Sequence, residues 1–191
     1  MMPCSKKLIL GSNSPRRKEL LAGLDLPFTV DTGNTFTESV PALMPPHEVP
    51  MAMARGKSHG FHRSLEKDEL LITADTVVII DNRVLGKPHG REEAAQMLRL
   101  LSGRTHDVVT AVVLRSPERE LPLSDTARVT FAPLEDCDIA YYIDHYRPFD
   151  KAGAYGVQEW IGLAAISRIE GSFYTVMGFP VQRVYAALRH F

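Results

Sequence analysis

The chain has 191 residues, a formal net charge of −1 and 24% charged side chains, which excludes a large basic surface for duplex nucleic acid. Its two cysteines, Cys4 and Cys137, form neither a disulfide framework nor a zinc-ligand pattern, and this favours a reducing compartment. No apolar run approaches the roughly 18 residues of a membrane span. We therefore expect a soluble, cytoplasmic protein that binds neither membranes nor nucleic acid and has room for one sizeable core.

The first elements are a short strand and a helix. Residues 7–10 are apolar enough to predict a short buried strand. Ser14 is a favoured helix N-cap and Pro15 a favoured first helical residue, while Gly23 predicts the end of the same helix. A loop of Gly, Ser and Asn lies between the strand and the helix.

Arg16 and Arg17 stand in the first turn of this helix, where cations oppose the helix dipole. A bound anion would resolve the conflict, because guanidinium donors and backbone N–H groups would then meet on one phosphate. The alternative is an ordinary pair of solvated arginines. The net charge of the chain gives no general attraction for anions, so a phosphate site here would be a local one.

The next segments predict a strand over 28–33, a loop over 34–46 that carries Glu38, and a helix over 46–61 that is interrupted near Pro50. Lys57 lies toward the end of that helix, in the sequence RGKS. This resembles the end of a P-loop, but Met51 stands where the first glycine of that motif is required. The P-loop interpretation therefore fails.

Residues 69–81 give the strongest strand signal and predict a central strand of the sheet. Asp75 and Thr76 form a polar break inside it. A carboxylate in such a strand is costly to desolvate unless a cation or a hydrogen-bond donor compensates it. Asp75 is therefore either a structural residue at a strand end or bulge, or a general base or metal ligand at the carboxyl edge of the sheet.

The rest of the chain alternates helices with strands. Lys87 lies between Gly86 and Pro88, which would fix its backbone, although a solvated lysine is the alternative. The predicted elements are a helix over 91–103, a hairpin with strands over 105–116 and 123–132, a helix over 135–146, a strand over 163–171 and a terminal helix over 173–188. This order predicts an α/β fold with a mixed sheet.

Five motifs, taken in this order, make the chain resemble the Maf family of nucleoside triphosphate pyrophosphatases: SNSPRR, ADTVV, LGKP, KAGAYGVQ and GSFYTVMGFPV. The resemblance spans almost the whole chain. It implies one Maf-like domain over 1–191, with a mixed twisted sheet, flanking helices and two lobes around a central cleft. It also implies a divalent metal, Mg²⁺ or Mn²⁺, a homodimer, and hydrolysis of a nucleoside triphosphate to the monophosphate and pyrophosphate.

The resemblance further implies roles for individual residues. The catalytic residues would be Asp75, Lys57 and Lys87, with Asp75 as proton acceptor. The metal ligands would be Glu38 and Asp75. The substrate-binding residues would be Ser12, Arg16, Arg17, Thr76 and Gln158, of which Arg16, Thr76 and Gln158 match positions tied to substrate choice.

Gln158, which follows the Tyr-Gly-Val sequence, resembles the branch that acts on dTTP and UTP rather than the branch that acts on 7-methyl-GTP. Glu159 and Trp160 follow it where a glycine is common, and Thr175 stands where Asn is usual. A 7-methyl-GTP-preferring pyrophosphatase is one alternative function. The other is a non-catalytic nucleotide sensor in cell-division control, although a sensor would not need the carboxylate of Asp75.

Overall fold

The computed structural model describes residues 5–37, 39 and 43–191. The strands of the described residues are β1 (Lys7–Leu10), β2 (Phe28–Val30), β3 (Glu69–Ile80), β4 (Arg83–Leu85), β5 (Thr105–Arg115), β6 (Glu120–Phe131) and β7 (Ile166–Glu170). The helices are α1 (Pro15–Ala22), α2 (Val49–His59), α3 (Arg91–Leu101), α4 (Asp136–Tyr146), α5 (Trp160–Ala165), α6 (Phe173–Met177) and α7 (Val181–Leu188). Short 3₁₀ helices cover Pro46–Glu48 and Ala152–Ala154.

The strands of the described residues form one mixed sheet of seven, in the order β2-β1-β3-β5-β6-β7, with β4 paired to β3. The strand β1 is parallel to β2 and to β3, whereas β4 and β7 are antiparallel to their neighbours. The predicted α/β fold with a mixed sheet and flanking helices is confirmed. The central position predicted for residues 69–81 is also confirmed, because β3 pairs on both sides and nearly all of its residues are buried.

The described residues divide into two compact units. The first is drawn from Met1–Asp75, Thr110–Asp125 and Gly178–Phe191, and the second from Thr76–Val109 and Thr126–Met177. The core of the first unit is a cluster of buried aliphatic side chains from β1, β3, α1 and α7, among them Leu10, Ile72, Leu21 and Leu188. In the second unit α3 packs against α4, and Leu98 and Ile143 are buried. Burial of such side chains contributes about 1.5–3 kcal/mol each to folding.

The local signals at α1 work as predicted. Ser14 caps the helix, since its hydroxyl accepts a hydrogen bond from the backbone N–H of Arg17, and Pro15 is the first helical residue. Gly23 ends the helix and donates its N–H back to Glu19. These interactions fix where the loop after β1 turns into the helix.

Several predicted boundaries were wrong. The helix predicted over 46–61 is divided near Pro50, as expected, into the 3₁₀ helix Pro46–Glu48 and α2, but it ends at His59. Pro50 lies in the first turn of α2, where its missing N–H costs no hydrogen bond. The strand predicted over 28–33 ends at Val30. The strand predicted over 69–81 ends at Ile80, and the polar pair Asp75 and Thr76 lies inside it as predicted.

Two further differences lie near the C-terminus. Leu163 to Ala165 belong to helix α5, so the strand predicted over 163–171 begins only at Ile166. The predicted terminal helix over 173–188 is two helices, because Pro180 lacks the N–H that a continuous helix would need at this point. No helix in the described part of the chain is long and apolar enough to cross a bilayer.

His106 is a buried polar residue in the second unit, with 2% of its surface exposed. Its Nε2 lies 2.8 Å from the Tyr155 hydroxyl, and its ring meets those of Tyr155 and Phe131 edge to face. No described group bonds its buried Nδ1. Burial lowers the pKa of His106 from 6.5 to about 4, against a smaller opposing effect of Asp107, so the imidazole is neutral in the folded protein.

This burial predicts a specific dependence of stability on pH. Between pH 6.5 and 4 the unfolded chain binds a proton at His106 that the folded protein does not, so stability falls as the pH drops through this window. From pH 7 to pH 5 we expect His106 to remove about 2 kcal/mol from the free energy of unfolding. Urea titrations at both pH values should show that His106→Leu loses less stability than the parent. Equal losses of stability in the parent and in His106→Leu would contradict this expectation. The control is His89→Leu, at an exposed histidine.

Candidate active site

A lysine and an aspartate form an ion pair in the first unit. The Nζ of Lys57, in the last turn of α2, lies 2.7 Å from the Oδ1 of Asp75 in β3. Only 20% of the Lys57 side chain and 16% of the Asp75 side chain are exposed. The ammonium therefore provides the compensation that a carboxylate in an apolar strand requires. Because part of each side chain remains exposed, the pair is partly accessible to a substrate.

Helix α2 is held against β3 beside this pair. The hydroxyl of Thr73 donates to the carbonyl of Ala54 at 2.8 Å, and both residues are buried. Successive side chains of a strand point to opposite faces, so Thr73 and Asp75 lie on the same face of β3. Thr73 anchors α2, and Asp75 pairs with Lys57 near the end of this helix.

The loop after β1 passes close to the same strand. The N–H of Gly11 donates to Ile72 at 2.8 Å, and a Cβ at Gly11 would stand only 3.0 Å from the methyl group of Thr73. Glycine therefore permits this close approach. The hydroxyl of Ser12, the next residue, accepts from the N–H of Ser14 at 3.2 Å.

Arg17 links this loop to β3. Its Nη1 lies 3.3 Å from the Ser12 hydroxyl and donates to the carbonyl of Ala74 at 2.9 Å, while its Nε donates to the carbonyl of Gly178 at 2.9 Å. The sequence predicted an anion as the partner of Arg17. The structure adds backbone carbonyls, one of them directly before Asp75. Arg16, its neighbour on α1, is half-buried.

We expect Arg17→Ala to lower the free energy of unfolding by about 2 kcal/mol, because it leaves partly buried carbonyls without their charged donor. Chemical denaturation of Arg17→Ala against Lys18→Ala, an exposed residue on the same helix, measures this. If both variants unfold at the same denaturant concentration as the parent, Arg17 does not brace β3.

The other described candidates belong to the second unit. Thr76 follows Asp75 along β3 and is half-buried. Lys87 is exposed in the loop after β4, and this loop is fixed by a hydrogen bond of 3.0 Å from the N–H of Gly153 to the carbonyl of Gly86. The backbone directly before Lys87 is thus tied to Gly153, a contact that the sequence did not predict. Glu38 lies outside the described residues.

Gln158 is exposed in the turn that precedes α5. It lines an open groove of about 480 Å³ together with Arg168, Phe173 and neighbouring side chains of α5 and β7. The groove offers both apolar surface and hydrogen-bonding groups.

Sequence reasoning missed a polar network beside Gln158. The carboxylate of Glu159 accepts a hydrogen bond from the Tyr142 hydroxyl and lies 3.0 Å from the Nζ of Lys151. In the sequence Glu159 stands where a glycine is common, and nothing there pairs it with Tyr142. The sequence feature that could have indicated this network is Lys151, the lysine of the KAGAYGVQ motif.

The described part of the site offers few donors for a divalent metal. No group of three or more His, Cys, Asp or Glu side chains within residues 5–37, 39 and 43–191 is arranged to hold a metal ion. Asp75 contributes one carboxylate. Because Mg²⁺ is often bound by one or two carboxylates together with substrate phosphates, this chemistry fits an ion that binds along with a triphosphate.

Known proteins resemble this chain over nearly its whole length. A family model of Maf-like proteins matches residues 7–191. A dTTP/UTP pyrophosphatase of Porphyromonas gingivalis is 52% identical over 187 residues, which cover 97% of this chain and 94% of that protein. Proteins of the same name from Parabacteroides distasonis and Flavobacterium johnsoniae are 47% and 41% identical, over 97% and 95% of this chain and 96% and 93% of theirs. The chain therefore belongs to the Maf family.

Proposed function

We propose that this protein hydrolyses dTTP and UTP to the nucleoside monophosphate and pyrophosphate, and so removes these or modified pyrimidine nucleotides from the nucleotide pool. Relatives at 41–52% identity over nearly the whole chain carry the name dTTP/UTP pyrophosphatase. The observation that carries the proposal is the ion pair of Lys57 and Asp75 beside the loop braced by Arg17. It brings the ammonium of Lys57, from α2, to the carboxylate of Asp75 on β3, next to the Ala74 carbonyl that binds Arg17 of α1.

Asp75 is the proposed proton acceptor. In the proposed reaction a water attacks the α-phosphorus in line with the departing pyrophosphate, which cleaves the bond between the α and β phosphates. The Asp75 carboxylate orients that water and takes its proton. Lys57 holds the carboxylate in place, and its ammonium is close enough to contribute positive charge to a bound phosphate.

Arg16, Arg17 and Lys87 are the proposed phosphate ligands, with Ser12 as an additional donor. A triphosphate carries about four negative charges, and a nearly neutral protein must meet them locally with guanidinium and ammonium groups. The exposed ammonium of Lys87 lies on a fixed loop, which suits contact with the phosphates. Thr76, next to Asp75, is a proposed contact of the substrate.

We also propose that hydrolysis depends on a divalent cation, Mg²⁺ or Mn²⁺, held by Asp75 and Glu38 together with the substrate. When bound, such an ion neutralises phosphate charge and acidifies water. We further expect one functional domain over 1–191, a homodimer and a cytoplasmic location. Light scattering coupled to size exclusion measures the mass of the assembly.

Gln158 is the proposed base-recognition residue. Thymine and uracil present an acceptor, a donor and a second acceptor along one edge, and a glutamine amide can accept from N3–H while donating to a neighbouring carbonyl. Cytosine lacks N3–H and carries an amino group at position 4. A mismatch of this kind costs about 1–3 kcal/mol, roughly five- to hundredfold in selectivity.

Rates for dTTP, UTP, CTP, GTP and 7-methyl-GTP test this proposal in the parent and in Gln158→Ala. We expect the parent to prefer dTTP and UTP, and Gln158→Ala to lose most of that preference. A parent that prefers 7-methyl-GTP would contradict the proposed substrate. A pyrimidine preference that survives in Gln158→Ala would contradict the role of Gln158.

A further inference from the structure

One phenol holds both ends of the turn that carries Gln158. The N–H of Gly156 donates to the Tyr142 oxygen at 3.0 Å, and the Tyr142 hydroxyl donates to the Glu159 carboxylate. The backbone N–H of Glu159 also donates to the carbonyl of Gly156 at 3.0 Å. The residues on either side of Val157 and Gln158 are therefore fixed to the same side chain.

The charge of Glu159 is balanced inside this network. Only 18% of its side chain is exposed, and its Oε1 lies 3.0 Å from the ammonium of Lys151, whose side chain is 9% exposed. Lys151 also contacts Asp150 at 2.7 Å. Burial, and then the hydrogen bond to Glu159, raise the pKa of Tyr142, so its hydroxyl stays protonated and remains a donor.

The shape of the turn matches the carboxylate. A Cβ at Gly156 would stand 2.9 Å from the carboxylate carbon of Glu159, so a larger residue at this position would displace the acid from the turn. A carboxylate this well enclosed has few positions open to it. The backbone of Glu159, and that of Gln158 directly before it, therefore also have few positions open to them.

Gln158 itself has no such support. Its side chain is exposed, and no hydrogen bond to another group in the described part of the chain holds it. The backbone of the turn therefore sets the point from which this side chain starts beside Arg168 and Phe173 in the groove. Glu159 and Tyr142 are the groups that fix this backbone.

We propose that Glu159 is a positioning residue that sets the base selectivity of the enzyme by fixing the turn of Gln158 against Tyr142 and Lys151. The inference rests on the proposed function, in which Gln158 recognises the pyrimidine. A network that served stability alone would change the melting temperature and leave the selectivity as it was. Selectivity is therefore the informative measurement.

The test is the ratio of kcat/KM for dTTP to that for CTP, measured with Mg²⁺. We expect Glu159→Ala to lower this ratio roughly tenfold, mainly through slower use of dTTP, and Tyr142→Phe to lower it in the same direction. Glu159→Gln keeps an oxygen that accepts from Tyr142 and should retain most of the selectivity. In a Gln158→Ala background, Glu159→Ala should change the ratio no further.

Ile143→Val is the matched control. It shortens a buried side chain next to Tyr142 on α4, so it lowers stability without touching the network. We expect its dTTP-to-CTP ratio to equal that of the parent. A ratio that falls as far in Ile143→Val as in Glu159→Ala would mean that general loosening, and not Glu159, controls selectivity.

The outcomes separate this inference from the proposed function. If Gln158→Ala abolishes the pyrimidine preference but folded Glu159→Ala keeps it, the positioning role is overturned and the proposed function stands. If the parent has no preference for dTTP and UTP, both are overturned. Should Glu159→Ala fail to fold, an unchanged ratio in folded Tyr142→Phe overturns the positioning role.

Discussion

Asp75→Asn is expected to lower kcat for dTTP at least roughly hundredfold, the scale of losing a general base, while the protein stays folded. An amide cannot take the proton of the attacking water, although it has nearly the shape of the carboxylate. The side chain lies in a central strand and is largely enclosed, so solvent does not readily replace it. Steady-state hydrolysis of dTTP, with circular dichroism on the same samples, measures both properties.

Asp68→Asn is a close control, because Asp68 directly precedes β3 and also pairs with a lysine, Lys7, at 2.9 Å. That pair is exposed, and its loss should leave kcat as it is in the parent. Turnover of folded Asp75→Asn near the parental rate would show that Asp75 has only a structural role.

Lys57→Met is expected to lower kcat/KM for dTTP by roughly ten- to hundredfold, the range for losing a charge-assisted hydrogen bond of about 1.5–3 kcal/mol. Methionine keeps much of the apolar stem and removes the ammonium. The carboxylate of Asp75 then loses the partner that holds it at 2.7 Å. Kinetics with dTTP as substrate give the size of the loss.

Two further variants define the cause. Lys57→Arg keeps a cation near Asp75 and should retain more activity than Lys57→Met. The double variant of Lys57→Met and Asp75→Asn should lose less than the sum of the two single losses, because residues in contact are coupled. Additive losses would mean that the two side chains act independently.

The sequence contained the local signals of the site. The cap at Ser14 and the apolar run that becomes β3 are short-range features, and the structure places both as predicted. The cost of an unpaired carboxylate also implied a partner for Asp75. Physical rules that act within a few residues were sufficient for these features.

Partners that are distant in sequence could not be predicted in this way. Lys57 and Asp75 are 18 positions apart, and their contact depends on how α2 packs on β3 through Thr73. The carbonyl partners of Arg17 are 57 and 161 positions away. Periodicity gives no information about such pairs, because they are formed only by tertiary packing.

Hydrolysis of dTTP in water enriched in ¹⁸O, with Mg²⁺ present and mass spectrometry of the products, is the most direct test of the proposed reaction. Attack at the α-phosphorus predicts dTMP that carries one ¹⁸O atom and pyrophosphate that carries none. Label in the pyrophosphate would place the attack on the β-phosphorus. Release of dTDP and phosphate, or unchanged dTTP, would contradict the proposal that this Maf-family protein is a nucleoside triphosphate pyrophosphatase.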